Sequence, residues 1–499
     1  MYVIFFTLSY LFYFYTTGCN FTFFSVSYLI EACLFVCFVG GISVWFVKRT
    51  KQEKLLFFTF IFGCCFMFFI PFVQVVRIHF LQNLKNDFPV IYSYRWIIAI
   101  SCLFLIFCLS LKFIKIINFS QSFKRSLNFF TIVLFILSIC NFSKIYGNKN
   151  HQSRNSECST RADRNKYPNI YHIVLDSYVS CRYLSEAYGF DNTDFYKQLG
   201  NLGFWYDMDA KSNYSNTIPT FCSSFEMNYL NTDEYNEYDL QRRIYFNNKA
   251  IMSLKNKGGY QCYVNSPDVP TLESIEFDFR MKRSRLDFYY YLFLRTPLEF
   301  FLFKPFQKKH YGNVLNQFHQ MVSVKEVYGE RGNYFLFHVI CPHEPFIFTA
   351  SGEQNSNLKS NTESMFRPDN NIKNRASEYL NQIKYLNALT LKVVKQILDS
   401  YDENNKPIIV IHGDHGLSVQ PLSEMNAWRS NDLKPMDRAM LSILYTVYWP
   451  KSLGILPPPE GLVNLYRWLI NSLFQEKMDY LPSKQIMRID NCFIPNINI

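Results

Sequence analysis

The chain has 499 residues and a formal net charge of +11 at pH 7, and 18% of its residues are aromatic. This length allows more than one domain. A positive net charge raises the question of a nucleic-acid partner. However, the sequence has no zinc finger, RNA-binding signature or basic helix, and many lysines and arginines stand in short loops between apolar runs. We therefore expect no nucleic acid among its partners.

The first part of the chain is apolar and predicts a membrane anchor. A helix that crosses a bilayer needs about 20 mostly apolar residues. Residues 1–47 contain one acidic residue and no lysine or arginine, which leaves room for two spans. Apolar runs at 55–76, 96–111 and 127–142 predict three more. We expect five membrane-spanning helices, the first of them retained and not cleaved as a signal peptide.

Basic residues in the loops predict the orientation of the anchor, because positively charged loops stay on the cytoplasmic side. An odd number of spans then places everything after the fifth span outside. Glu31, inside the second span, is open to two interpretations: a functional residue, or a carboxylate at the interface or hydrogen-bonded to a neighbouring helix. The basic residues follow the second span (Lys48, Arg49, Lys51, Lys54) and the fourth (Lys112, Lys115, Lys124, Arg125).

A sharp change of composition divides the chain. From residue 146 onward, charged residues, Asn and Gly are well mixed, as in globular proteins. We predict an anchor over 1–145, a polar linker over 146–168 and a catalytic domain over 169–499. The third part is long enough to bury a large core.

The predicted catalytic domain alternates strands with helices, which indicates an α/β fold with a mostly parallel sheet and helices on both faces. Near-continuous β-prone runs predict buried strands. A helix is predicted over 377–402, where apolar residues recur at helical spacing, and another over 461–474. The predicted strands lie at 169–175, 260–264, 334–340, 408–411 and 443–449.

Metal-ligand and acid/base residue types follow three of these strands. Asp176 follows the first, His343 lies just after the third, and the fourth leads into the run His-Gly-Asp-His-Gly that contains Asp414 and His415. In parallel sheets, ligands bind beyond the carboxyl ends of the strands. Mixed oxygen and nitrogen ligands favour Zn²⁺ or Mn²⁺ over Ca²⁺. A glycine-rich turn with a capping Asp is the alternative interpretation of the run.

Thr217 is a candidate nucleophile. It stands at the start of a helix predicted to reach about residue 230, with Pro219 in the first turn. A helix N-terminus is an anion site, and a hydroxyl placed there and ionised by a metal can attack phosphorus. The alternative role for Thr217 is helix capping.

The sequence resembles the alkaline phosphatase superfamily, on its sulfatase-like branch, in the order of Asp176, Thr217, Asp414 and His415. With the five-span anchor, the chain is similar to lipoteichoic acid synthases and phosphoethanolamine transferases. The resemblance implies that these four residues bind one divalent metal ion and that Thr217 forms a covalent phospho-enzyme. It also implies that His343 contacts the phosphate or protonates the leaving group.

Two departures from the family pattern bear on the substrate. Those transferases usually have Glu where this chain has Asp176. Sulfatases need Cys or Ser in a Cys/Ser-x-Pro-x-Arg motif, whereas this chain has Thr217-Ile-Pro-Thr220 and no following Arg.

We interpret His338, inside a strand, and His412, at the end of one, as core or supporting residues.

The resemblance therefore predicts a metal-dependent transferase or hydrolase of phosphate esters at the outer face of the inner membrane. The expected donor is a membrane lipid, and the expected acceptor is a lipid or a cell-surface glycan. Two alternatives stay open: a sulfatase or phosphatase of the same fold, and an inactive surface-binding protein. The sequence leaves the oligomeric state open.

Several features receive no function. The stretch 268–332 either lies on the membrane surface or shapes the acceptor site, or else is simply a packed insertion, which we favour. Of the 14 cysteines, the eight in the apolar part act as small apolar residues. The other six are open to disulfide pairing if this part is extracellular: Cys158, Cys181, Cys222, Cys262, Cys341 and Cys492.

Overall fold

The computed structural model forms two compact units, and each is described by itself. The first comprises Met1–His151, Lys282–Gln307 and Lys359–Asp369, and the second comprises Gln152–Met281, Lys308–Leu358 and Asn370–Ile499. The described residues are 2–16, 25–50, 120–154, 166–230, 240, 243–244, 248–267, 272, 276–280, 284–293, 299–356, 372–417, 439–454, 458–489 and 492–495.

Helices and strands alternate through most of the second unit. The helices are α1 (Tyr2–Thr16), α2 (Val26–Thr50), α3 (Gln121–Arg154), α4 (Cys181–Tyr188), α5 (Thr193–Asn201), α6 (Thr217–Glu226), α7 (Lys249–Gly258), α8 (Arg285–Phe293), α9 (Glu299–Tyr328), α10 (Ile372–Asp399) and α11 (Leu465–Phe474). The strands are β1 (Ile170–Leu175), β2 (Phe204–Asp207), β3 (Gln261–Asn265), β4 (Phe279–Arg280), β5 (Asn333–Val339), β6 (Ile408–His412), β7 (Tyr445–Tyr448), β8 (Ile486–Ile489) and β9 (Cys492–Pro495). Short 3₁₀ helices lie at Glu403–Asn405, Lys451–Leu453 and Leu462–Asn464.

Two described helices of the first unit are long and apolar enough to cross a membrane, not the five that we predicted. They lie at Val26–Phe46, with a mean hydropathy of 2.1, and Gln121–Ser143, with 1.8. Helix α1 is apolar but has only 15 residues, or roughly 22 Å, which is short of a hydrocarbon core of about 30 Å. The predicted spans at 55–76 and 96–111 lie outside the described residues.

Helix α8 packs inside the first unit, although it comes from the later part of the sequence. Phe288 is fully buried, and its ring contacts those of Phe14 and Tyr28. Arg285 donates a hydrogen bond to Glu31 at 3.0 Å. One part of the stretch 268–332, helix α8, is thus packed against other helices, and Glu31 has an ionic partner. Because both side chains of this pair are well exposed, it adds little stability.

The second unit is built on a seven-stranded mixed sheet in the order β2-β7-β6-β1-β5-β3-β4. Strand β1 pairs in parallel with β5 and β6, and β3 pairs in parallel with β5 and β4. Strand β7 runs antiparallel to β6 and to β2. All five predicted strands are present, and the expectation of a mostly parallel sheet is confirmed. Strands β2, β4, β8 and β9 were not predicted.

Each face of the sheet carries its own apolar core, because side chains alternate along a strand. On the face that we call the first face, Ile173 of β1 packs with residues of α4, α5, α9 and α10. On the second face, Val174 packs with residues of α6, α7 and α11. Every residue of β1 is buried, as expected for a central strand covered on both faces. The predicted helices on both faces are thus confirmed.

Four of the cysteines open to pairing are free thiols in the structure. Cys181, Cys222, Cys262 and Cys341 are all buried, and burial raises the pKa of each thiol. Buried thiols with raised pKa values are poor nucleophiles and act as apolar packing groups. Cys158 and the side chain of Cys492 lie outside the described residues, so their pairing stays a prediction.

Candidate metal centre

Three buried side chains meet at the carboxyl ends of neighbouring strands. Asp176 directly follows β1, and Asp414 lies two residues beyond β6. His338 is the next-to-last residue of β5. Because β5, β1 and β6 are adjacent and parallel, their ends reach the same edge of the sheet. One ligand atom from each residue lies within 4.8 Å of the others, and all three residues are buried.

Two polar atoms of this group have no hydrogen-bond partner in the described structure. They are Nε2 of His338 and Oδ2 of Asp414, 4.0 Å apart. His338 Nε2 also lies 3.3 Å from Asp176 Oδ2. A buried carboxylate oxygen without a partner is costly. A divalent cation between these atoms would satisfy both, so the residues present fit a metal ion.

His415 turns its free ring nitrogen toward the same group. Its Nδ1 donates to the carbonyl of Gly416 at 2.7 Å, which leaves the Nε2 lone pair free in the neutral ring. That Nε2 lies 3.6 Å from an oxygen of Asp176 and 3.6 Å from one of Asp414. This orientation suits a metal ligand.

The glycines of the His-Gly-Asp-His-Gly run allow other backbone to come close. A Cβ added to Gly413 would lie 2.5 Å from the carbonyl oxygen of Tyr178. A Cβ on Gly416 would collide with the carbonyl of Ala439. The run is therefore held by close backbone contacts on both sides of Asp414 and His415, as the sequence interpretation required.

Thr217 is the first residue of α6, and its hydroxyl lies 3.1 Å from His415 Nε2. The N-cap position belongs to Asn216, whose side chain makes no capping hydrogen bond, so Thr217 stands one residue inside the helix. Thr220 is buried and bonds the carbonyl of Tyr214 at 3.2 Å. Thr220 therefore supports the loop, while the Thr217 hydroxyl faces the candidate metal centre.

The structure thus brings together all four residues that the sequence assigned to a metal, Asp176, Thr217, Asp414 and His415. Their roles as ligands remain a prediction. His338 was interpreted as a core or supporting residue, but its Nε2 stands among the ligand atoms. No local motif marks it, because only the pairing of β5 with β1, which sets His338 opposite Val174, brings it beside Asp176.

Charges within the group favour a cation. Burial by itself raises the pKa of the Asp176 carboxyl, but three histidines outweigh it and hold the pKa well below its usual range: His343 by its charge, His338 by its close approach and His415 by its charge. Burial lowers the pKa of His415, but the charges of Asp414 and Asp176 raise it overall. The carboxylates thus stay ionised and attract a proton or a metal ion.

Ser177 ties the two carboxylates together and was not predicted. Its backbone N–H donates to Asp414 Oδ1 at 3.2 Å, and its hydroxyl donates to Asp176 Oδ1 at 3.0 Å. The residue has a left-handed backbone, with φ at 62°, an uncommon conformation for a non-glycine residue. Tyr379 donates to its carbonyl at 3.0 Å and so supports this turn.

His343 stands at the edge of the group. Its backbone N–H donates to the carbonyl of Asp176 at 2.9 Å, and its ring centroid lies 6.2 Å from that of His415. The side chain is half-buried. Its neighbour Glu344 forms an ion pair with Arg375. The predicted acid/base residue therefore lies beside the candidate centre, within reach of solvent, and its role stays a prediction.

No protein-family model matches the chain, and no curated protein matches it. Similar solved structures exist. The C-terminal periplasmic domain of EptC from Escherichia coli, in complex with Zn, is 14% identical, and the match covers 67% of this chain and 93% of that chain with a TM-score of 0.40. The integral membrane protein lipooligosaccharide phosphoethanolamine transferase A from Neisseria meningitidis is 11% identical over 95% of both chains, with a TM-score of 0.43.

A third similar structure is the lipoteichoic acid synthase LtaP from Listeria monocytogenes. It is 13% identical, and the match covers 68% of this chain and 82% of that chain with a TM-score of 0.38. The role of each residue in this chain rests on its own geometry.

Proposed function

We propose that this protein is a membrane-anchored, metal-dependent transferase or hydrolase of phosphate esters that works through a covalent intermediate on Thr217. The observation that carries the proposal is the position of the Thr217 hydroxyl. It lies at a helix N-terminus, 3.1 Å from His415 Nε2, beside a buried group with two unpartnered polar atoms. A nucleophile, an anion site and a cation site are thereby next to one another.

The metal would be held by Asp176, Asp414, His415 and Thr217, with His338 as a further nitrogen donor. Carboxylate, hydroxyl and imidazole ligands together suit Zn²⁺ or Mn²⁺. When bound, such an ion makes a coordinated hydroxyl a stronger nucleophile and stabilises negative charge on phosphate oxygens.

The chain's own residues account for the rest of the reaction. The Thr217 hydroxyl gives up its proton to solvent, its oxygen forms a bond to phosphorus, and the bond from phosphorus to the substrate alcohol breaks. The N-terminus of α6 stabilises the phosphoryl group attached there. His343 donates a proton to the departing alcohol. In the second step it takes a proton from the incoming hydroxyl, the oxygen of that hydroxyl bonds to phosphorus, the bond from phosphorus to Thr217 breaks, and Thr217 regains a proton from solvent. Water as the incoming group gives hydrolysis, and an acceptor alcohol gives transfer.

The proposed setting is the outer face of the inner membrane. Two apolar helices of sufficient length support the anchor, and the basic loops after the second and fourth predicted spans support a catalytic part outside. A membrane lipid would be the donor, and a lipid or cell-surface glycan the acceptor. Thr217 in place of Cys or Ser disfavours sulfate esters, because formylglycine cannot form from Thr.

The experiment is intact-mass and phosphopeptide measurement on the full chain in lipid membranes that contain candidate donor lipids. Wild type is compared with Thr217→Ala and with Thr220→Ser, a conservative change three residues along the same helix. We expect a metal-dependent adduct on the peptide with Thr217 in wild type and Thr220→Ser, and none in Thr217→Ala. The adduct mass identifies the transferred group. No adduct together with no bound metal in wild type would overturn the proposal.

A further inference from the structure

A pair of buried histidines lies beneath the candidate metal centre, on the second face of the sheet. His172 of β1 and His412 of β6 are 1% and 3% exposed. Their Nε2 atoms are 2.7 Å apart. The register sets His412 opposite Val174 and His172 opposite Val410, so the two rings meet diagonally across neighbouring strands. This pair plays no part in the reaction proposed above.

The hydrogen bonds around the pair run in one direction. His412 Nδ1 lies 2.8 Å from the carbonyl oxygen of Gly413, and since a carbonyl only accepts, Nδ1 carries the proton. In the neutral ring, His412 Nε2 then accepts, and the donor is Nε2–H of His172.

Two tyrosines complete this series of hydrogen bonds. With its proton on Nε2, His172 has one acceptor lone pair, at Nδ1, and that atom faces the hydroxyl of Tyr334, 2.7 Å away, and the hydroxyl of Tyr466, 3.1 Å away. The two hydroxyls are 2.5 Å from each other. Every polar atom of His172 and His412 is thus satisfied in a site where an unsatisfied one would be costly.

This series of hydrogen bonds ends on the backbone segment that carries the candidate ligands. His412 is the last residue of β6, and the carbonyl it binds belongs to Gly413, directly before Asp414. The same segment is held on its other side, where Gly413 N–H donates to the carbonyl of Leu444 at 2.9 Å. Ser212 donates to the carbonyl of Asp414 at 2.6 Å. The carbonyl of Gly413 accepts a hydrogen bond from His412 only when that ring carries its proton on Nδ1.

We propose that His172 is a positioning residue for the metal centre: by donating to His412 it fixes the peptide that aims Asp414 and His415. The inference rests on the proposed function, because it assumes that these two residues hold a metal. A purely structural role is the competing explanation. The two differ in what they predict, since a structural role affects stability alone, whereas a positioning role also affects the affinity for metal.

The test compares variants of the full chain in lipid discs, prepared metal-free. His172→Leu removes every hydrogen bond of the ring at similar side-chain size, and His172→Gln keeps an N–H donor. Tyr171→Phe is the matched control. Tyr171 directly precedes His172 in β1, and the change removes one buried hydrogen bond on the first face, to Tyr401 at 3.0 Å. Zn²⁺ affinity is measured by competition with a chromophoric chelator, and Tm is measured without metal.

We expect His172→Leu to weaken Zn²⁺ binding by about tenfold or more, the usual effect of losing a partner outside the ligand shell. His172→Gln should restore most of the affinity. Tyr171→Phe should lower Tm while leaving the affinity for Zn²⁺ unchanged. Should His172→Leu not fold, the double variant Tyr334→Phe with Tyr466→Phe removes both hydroxyls that face Nδ1, and it too should weaken Zn²⁺ binding.

Zn²⁺ affinity in His172→Leu, or in the double variant where Leu does not fold, within twofold of wild type would overturn the inference, whatever happens to Tm. If the Thr217 adduct still forms in that variant, the proposed function stands although the inference about His172 fails. A wild-type chain that binds no Zn²⁺ would instead overturn the proposed function, and this inference with it.

Discussion

The candidate centre has two parts that differ in burial. Its floor consists of Asp176, His338 and Asp414, which are all buried. In the described structure, Nε2 of His338 and Oδ2 of Asp414 have no hydrogen-bond partner. Its rim consists of Thr217, His343 and His415, which are partly exposed. The floor is built to hold a charge away from water, where electrostatic interactions are strong. The rim is where a substrate can approach. Floor and rim variants should therefore fail in different ways.

The largest expected effect is on the rim. Thr217→Ala should lower turnover of a chromogenic phosphodiester by about a thousandfold or more, as expected when a covalent nucleophile is lost. Zn²⁺ binding should survive in part, because the floor remains. Steady-state rates and chelator competition on the same preparations measure both quantities. Equal turnover in Thr217→Ala and wild type would contradict the role of Thr217.

The floor should control metal affinity. Asp414→Asn should weaken Zn²⁺ binding by more than about 100-fold. Removing a residue that only contacts a metal ligand typically weakens binding by about 10- to 100-fold. The same change should raise Tm of the metal-free protein, because it removes an uncompensated buried charge. These opposite signs separate a metal site from a structural ion pair. A loss of both affinity and metal-free stability would argue that Asp414 serves only the fold.

His343→Gln tests the rim again, with a smaller effect. We expect kcat to fall by about a hundredfold, within the usual range for a general acid or base. Zn²⁺ affinity should stay within about twofold of wild type, since the ring is not among the floor residues. Parallel rate and affinity measurements decide the matter. A large fall in Zn²⁺ affinity would move His343 into the ligand set.

The smallest effect concerns pH and the pair beneath the floor. Burial, His412 and His338 hold the pKa of His172 well below its usual 6.5, so the unfolded chain binds the proton first as pH falls. Stability is therefore present above about pH 6.5 and is lost below it, by up to about 1.4 kcal/mol per pH unit for this residue. Tm of the metal-free protein should fall less steeply from pH 7 to 5 in His172→Leu than in wild type. Parallel Tm curves would contradict a neutral, buried His172.

Much of the site was predictable because its parts follow local patterns. Continuous β-prone runs marked β1 and β6, and Asp176 and Asp414 stand directly beyond them. The expectation that these ends meet rests on a general property of parallel sheets. Thr217 was recognisable from its place at a helix start. The packing of α8 with Phe14 and Tyr28 was only one of the interpretations that the sequence allowed.

Other features had no local signal. A histidine inside a strand, such as His338 or His172, has the same sequence context whether it lies beside a ligand or in a core. The antiparallel direction of β7 is likewise absent from its own apolar pattern, because periodicity does not encode strand direction. The number of spans also differs, since hydropathy alone suggested five and the described residues contain two of sufficient length.

The amino-acid sequence by itself determined the apolar anchor segments, the buried strands and the residue types at their ends, since each depends on the order of side chains along a few residues. Only the tertiary structure decided which residues share the floor with Asp176 and which partner sets the proton on His412. Those outcomes depend on the register between strands that are far apart in the chain, which places His338 opposite Val174 and the ring of His172 against that of His412.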